Sequence, residues 1–166
     1  MRPYLLLTPG PLTTSETVKE AMMSDWCTWD EDYNVGIVEV IRKELVELAS
    51  SQPEDYTAVL MQGSGSFCVE ATLGSVIRPE DNLLVAANGA YGKRMGVIAD
   101  YYHLNYHVMK FDETQAVDPE AIDNYLDMHP EVTHVSVVHC ETTTGVLNPL
   151  EAIASDKPNE SEEMKE

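Results

Sequence analysis

The stretch Ala58-Val59-Leu60-Met61-Gln62-Gly63-Ser64-Gly65-Ser66-Phe67-Cys68-Val69-Glu70-Ala71 decides the reading of this chain. An apolar run stops at small, flexible residues and opens into a helix-forming segment. That order predicts a strand over Thr57–Met61, a tight turn, and a helix to about Val76. The turn presents backbone N–H groups and two serine hydroxyls at a helix N-terminus. Unpaired N–H groups and the helix dipole both favour an anion there, so the turn reads as a phosphate cradle. The glycine spacing fits neither a dinucleotide fingerprint nor a Walker loop. Gly and Ser are also ordinary turn residues, and a plain strand–helix connection is the alternative.

The same alternation continues outward. Asn82–Ala87 (NLLVAA) reads as a buried strand ending at Asn88-Gly89-Ala90-Tyr91-Gly92, with a helix from about Lys93 to Tyr102. Asn105–Phe111 is strand-like. Asp118-Pro119 is an N-cap with proline at the first helical position, opening a helix to about Met128. Val132–Val138 is a further strand, and it delivers His139-Cys140-Glu141-Thr142-Thr143-Thr144-Gly145. Strands alternating with helices predict a mainly parallel sheet with flanking helices, an α/β fold. In such sheets the loops at the strand C-termini build the ligand crevice. Three loops at that edge carry chemistry: the anion cradle, the aromatic Tyr91 loop, and hydroxyls beside the Glu141 carboxylate. Together they suit a phosphorylated, planar ligand.

Towards the N-terminus, Thr8-Pro9-Gly10-Pro11 makes a stiff turn. Thr13-x-x-Glu16 has a capping-box pattern and predicts a helix to about Met23. Trp26 to Asn34 reads as an aromatic, acidic loop whose charges are solvated. Val38, Ile41, Leu45 and Leu48 mark one apolar helix face.

Bulk properties bound the function. The chain has 166 residues and a net charge of −19, from 29 acidic and 10 basic residues. That balance argues against nucleic acid or an anionic membrane as partner. Cys27, Cys68 and Cys140 are odd in number and widely spaced, against a disulfide framework or a zinc site; Cys140 is expected as a small buried thiol. No metal site is expected. The cysteine usage suits a reducing compartment, so a cytoplasmic location is expected, and neither a signal peptide nor an apolar run of the roughly 20 residues that span a bilayer is seen. Residues 155–166 (SDKPNESEEMKE) hold five acidic residues and, apart from Met164, nothing apolar, and are expected to be a disordered acidic tail.

Leu7-Thr8-Pro9-Gly10-Pro11, Cys27–Tyr33, Gln62–Ser66 with Val69-Glu70-Ala71, Asn88–Gly92 and His139–Pro149 together resemble class V aminotransferases, which depend on pyridoxal 5'-phosphate (PLP). The match runs from about Tyr4 to Ile153. Within the family it is most similar to the branch that moves the amino group of 2-aminoethylphosphonate to pyruvate, giving phosphonoacetaldehyde and alanine. The resemblance implies residues 1–154 as the N-terminal part of a fold-type-I large domain, normally in a homodimer. It implies that Ser64, Gly65 and Ser66 hold the PLP phosphate. Tyr91 takes the place of the aromatic ring set against the cofactor, and Thr142 that of the hydroxyl at its phenolic edge. The Pro9–Pro11 turn and the Trp26–Tyr33 loop correspond to segments near the substrate.

PLP chemistry also needs a Schiff-base lysine and an acid beside the pyridine nitrogen. In the family both follow the HCETTTG segment. None of Lys19, Lys43, Lys93, Lys110, Lys157 and Lys165 matches the lysine, so no catalytic residue is assigned. The expectation is a truncated enzyme, inactive alone, with bare sheet edges that favour association. Alternatives are another class V specificity, of alanine–glyoxylate or serine–pyruvate type, or a non-catalytic split-gene or decayed fragment.

Overall fold

The computed structural model describes residues 4–8 and 10–155. Pro9 and the acidic tail beyond Ser155 lie outside the described residues. The chain divides into two compact units, 1–62 and 63–166.

The first unit holds helix α1 (Glu16–Ala21), the short helix α2 (Glu31–Tyr33), a π-helical stretch over Asn34–Glu39, helix α3 (Val40–Ala49) and a 3-10 turn at Pro53–Asp55. None of its described residues is buried. Three expectations are corrected here. Thr13 does not cap α1. Its hydroxyl instead accepts from Leu6 N–H at 2.7 Å, and Ser15 takes the cap position, accepting from Val18 N–H at 3.4 Å. The aromatic, acidic segment is not loop throughout, because helix begins at Glu31. Thr57–Met61 is not a strand. Within this unit Arg42 Nε donates to Ala58 C=O at 2.9 Å and its Nη2 to the Thr57 hydroxyl at 2.7 Å. A guanidinium occupies backbone and hydroxyl acceptors there, and among the described residues no strand pairs with the segment. Its apolar side chains stay open, with Val59 at 73% exposure.

The second unit contains α4 (Gly65–Val76), β1 (Asn82–Ala87), α5 (Ala90–Tyr101), β2 (Asn105–Lys110), α6 (Pro119–Met128), β3 (His134–Val137), the hairpin β4 (Cys140–Glu141) and β5 (Val146–Leu147), and α7 (Leu150–Ala154). A three-stranded parallel sheet runs in the order β2-β1-β3, with Val85 opposite both Val108 and Ser136. β1 is central and sealed on both faces from Leu83 to Ala87, which explains the unbroken apolar run there. Leu83, Val85 and Ala87 pack with Leu73 and Ile77 from the α4 side and with Met95 and Ala99 of α5. Leu84 and Ala86 face the other way, onto Val117 and Ile122, with Leu126 of α6 and Ile153 of α7 beside them. Helices thus cover opposite faces on either side of β1. The chain leaves β1 for β2 on one flank and returns to β3 on the other. The C-terminal ends of β1 and β3 therefore form a topological switch point, where crevices open in α/β sheets.

Candidate functional site

The loops at this switch point are locked by two buried amides. Asn148 Nδ2 donates to Asn88 Oδ1 at 3.1 Å and to Val138 C=O at 2.6 Å, while Asn88 Nδ2 donates to Asn148 Oδ1 at 2.9 Å and to Gln115 C=O at 2.9 Å. Val117 N–H also donates to Asn148 Oδ1, at 2.8 Å. The pair joins the segments that follow β1, β2 and β3. Buried amides with every group engaged fix a loop more firmly than apolar contact does.

Ser64 caps α4. Its hydroxyl accepts from Phe67 N–H at 3.3 Å, and the backbone at Ser64 is extended. A helix start leaves its first-turn N–H groups without intrahelical partners, here those of Gly65 and Ser66. Space around Gly65 is open: a Cβ there meets nothing within 4 Å. Arg94 of α5 reaches the Ser66 hydroxyl, donating from Nη1 at 2.6 Å. Arg94 thus sets a positive charge beside the α4 N-terminus, an arrangement that favours an anion. The sequence reading did not single out Arg94. Its signal was present, three residues after Tyr91 on a helical turn.

Arg94 also lies over the Tyr91 ring, 5.1 Å from its centroid. That ring is 41% exposed. Tyr91 and Gly92 were expected in a loop; they lie in the first turn of α5, which begins at Ala90. The reason is capping from a distant segment. Gly89 at the cap position has no side chain to offer, and the buried Glu141 carboxylate accepts from Tyr91 N–H at 3.1 Å and Gly92 N–H at 3.4 Å. Glu141 begins the turn that carries the hydroxyls. Thr143 donates to its Oε1 at 2.8 Å, and Gly145 N–H donates to its carbonyl at 2.8 Å. Gly145 adopts φ +77°, a conformation that favours glycine. Thr142 is exposed. Cys140 was expected to be buried and is exposed, because it sits on a two-residue edge strand, where Glu141 turns inward and its neighbour turns outward.

Ser66, Arg94, Tyr91 and Glu141 therefore form one run of contacts, with Thr142 next to Glu141 in the chain; the turn at Ser64–Ser66 joins this run through Arg94 and not through a strand of the sheet, as the sequence had suggested. The Trp26–Tyr33 segment, expected near the substrate, belongs to the first unit. There Trp26 stacks on Tyr33 with centroids 6.2 Å apart. Among the described residues no cluster of ligating side chains could hold a metal ion, and no helix is long and apolar enough to cross a membrane.

Residues 34–160 match the family model described as aminotransferase class-V. The chain is 68% identical over 154 residues to a 2-aminoethylphosphonate–pyruvate transaminase from Phocaeicola vulgatus, covering 93% of this chain and 42% of that protein. It is 59% identical over 152 residues to the enzyme of that name from Vibrio vulnificus, covering 92% and 41%. Among solved structures, ureidoglycine–glyoxylate aminotransferase from Bacillus subtilis superposes with a TM-score of 0.79 at 29% identity, over 92% of this chain and 39% of that one. The chain thus spans about two fifths of the length of these relatives. The parallel sheet, the equipped switch-point edge and a match across most of the sequence converge on one assignment: the chain belongs to the class V aminotransferases.

Proposed function

We propose that this chain forms the N-terminal part, residues 1–154, of the large domain of a PLP-dependent transaminase. The reaction moves the amino group of 2-aminoethylphosphonate to pyruvate and yields phosphonoacetaldehyde and alanine. The carrying observation is the unbroken contact run from Ser66 through Arg94 and Tyr91 to Glu141. In this reading it links an anion cradle, an aromatic face and a hydroxyl loop in one line of contacts. The amino donor and acceptor are inferred from the 68% identity to the Phocaeicola vulgatus transaminase.

The residues present fit PLP. The open approach at Gly65 and the Arg94 charge beside Ser66 suit a phosphate. In this reading Ser64, Gly65 and Ser66 would hold that phosphate, Tyr91 would face the pyridine ring, and Thr142 would contact its phenolic edge. When bound, PLP supplies the electron sink that transamination requires. An aromatic face adds about 0.5–1.5 kcal/mol beyond its buried area. None of the chain's lysines matches the one the family uses to attach the cofactor, so the 166-residue polypeptide is inactive by itself. The reading carries a homodimer, as in the family, and a cytoplasmic location, which the free Cys27, Cys68 and Cys140 suit.

The test is reconstitution. The polypeptide is mixed with PLP, 2-aminoethylphosphonate and pyruvate, alone and co-expressed with the part of the Phocaeicola vulgatus relative that it does not cover. Alanine is expected only from the co-expressed pair. Turnover by the polypeptide alone contradicts the inactivity. A pair that accepts serine or alanine as donor but not 2-aminoethylphosphonate points to another class V specificity.

A further inference from the structure

We infer that Glu141 is a positioning residue whose buried, ionised carboxylate sets the cofactor's ring face by clamping the first turn of α5. The inference rests on the cofactor reading above and gives Glu141 a role that reading does not assign. Glu141 is fully buried, at 0% exposure. Its three partners, Tyr91 N–H, Gly92 N–H and the Thr143 hydroxyl, can all act as donors. An ionised carboxylate is acceptor-only and matches that set; an amide has to turn an NH₂ group toward one of them. A buried charge is tolerated only where such donors and a favourable dipole compensate it, and a helix N-terminus supplies both.

The fit is close. A Cβ on Gly89 comes within 2.2 Å of Glu141 Cγ, so the bare backbone at Gly89 makes room for the carboxylate. Local sequence leaves α5 without a cap of its own. Glu141 therefore fixes the backbone from which the Tyr91 ring projects, and Thr142 is its chain neighbour. One side chain governs both the ring face and the hydroxyl loop, although it need not touch the cofactor.

The experiment uses the full 166-residue polypeptide with PLP as the probe. Amide exchange is followed at Tyr91 and Gly92, with Leu84 and Val85 as the control on folding. PLP affinity and the circular dichroism induced in its absorption band are measured alongside; the induced band reports a ring held in one orientation. For Glu141→Ala, exchange at Tyr91 and Gly92 is expected to speed by about tenfold or more, the cost of losing charge-assisted hydrogen bonds. Leu84 and Val85 stay protected, PLP binds about tenfold more weakly, and the induced band disappears. Glu141→Gln restores part of each. Unchanged exchange at Tyr91 and Gly92, or freed amides with PLP affinity and band intact, overturns the inference alone. If Glu141→Ala loses protection at Leu84 and Val85, Glu141→Gln decides. Partial loss confined to Tyr91, Gly92 and the PLP band supports the clamp, and wild-type behaviour throughout overturns it. Where the wild-type chain alone binds no PLP, the same readings are taken on the co-expressed pair, and a pair that binds no PLP overturns the cofactor reading and this inference with it.

Discussion

Single side chains here often take their roles from partners far along the chain, and those roles differ in how much local sequence reveals. Asp112 takes its partner from two residues away. It accepts from Thr114 twice, from the hydroxyl at 2.6 Å and from N–H at 2.8 Å, in an Asx-type turn after β2. The hydroxyl bond first, and the backbone bond second, hold the Asp112 carboxyl below its ordinary value. A carboxyl depressed in the folded state stabilises above its unfolded value. That contribution is lost as pH falls through the folded one. Thr114→Ala removes the larger cause, so the Asp112 midpoint should rise toward the ordinary carboxylate range. Carboxyl-resolved NMR titration checks this, and an unmoved midpoint contradicts it. Ser64 was read only as part of the turn, although a serine before a helix-forming run also caps locally. Glu141 was not legible as a cap, because it caps a helix that starts 51 residues before it. Thr13 misled for a related reason: Leu6 competes for its hydroxyl and wins.

Strands divide in the same way. β1 was legible because both of its faces are covered and its sequence is continuously apolar from Leu83 to Ala87. Thr57–Met61 carries a similar pattern yet pairs with nothing among the described residues. Hydrophobic pattern reports a demand for cover, and a strand forms only where a neighbour meets that demand. The difference is measurable. Leu84 is 0% exposed and packs into the α6 side of the sheet. Leu84→Ala should cost about 2–5 kcal/mol through lost burial and a residual cavity. Val59 is 73% exposed, and Val59→Ala should stay within about 0.5 kcal/mol. Urea unfolding of the polypeptide, monitored by far-UV circular dichroism, compares the two. Equal losses for both variants would mean that Thr57–Met61 has cover in solution.

Every buried residue among those described lies in the second unit, and this contrast leads to the broadest prediction. In residues 63–155 a central strand is packed on both faces and two asparagines lock the loops. In residues 4–62, α3 is ten residues long and its apolar stripe is open, with Ile41 and Leu45 each 41% and Leu48 85% exposed. Helices shorter than about 12–15 residues are marginal in water without a packed face. Ordering each residue costs about 1–2 kcal/mol, and a unit with no buried residue has little to set against that. Amide exchange on the dilute polypeptide should therefore protect Leu83–Ala87 strongly and leave Val40–Ala49 close to the exchange rate of unfolded chain. Raising the concentration should protect Val40–Ala49 only if copies cover one another's apolar stripes. The charge of −19 opposes such association at low salt, so protection should grow with added salt. Strong protection of Val40–Ala49 in a monomer at low concentration contradicts this account. It would mean that the first unit holds a core of its own that burial in the structure does not reveal.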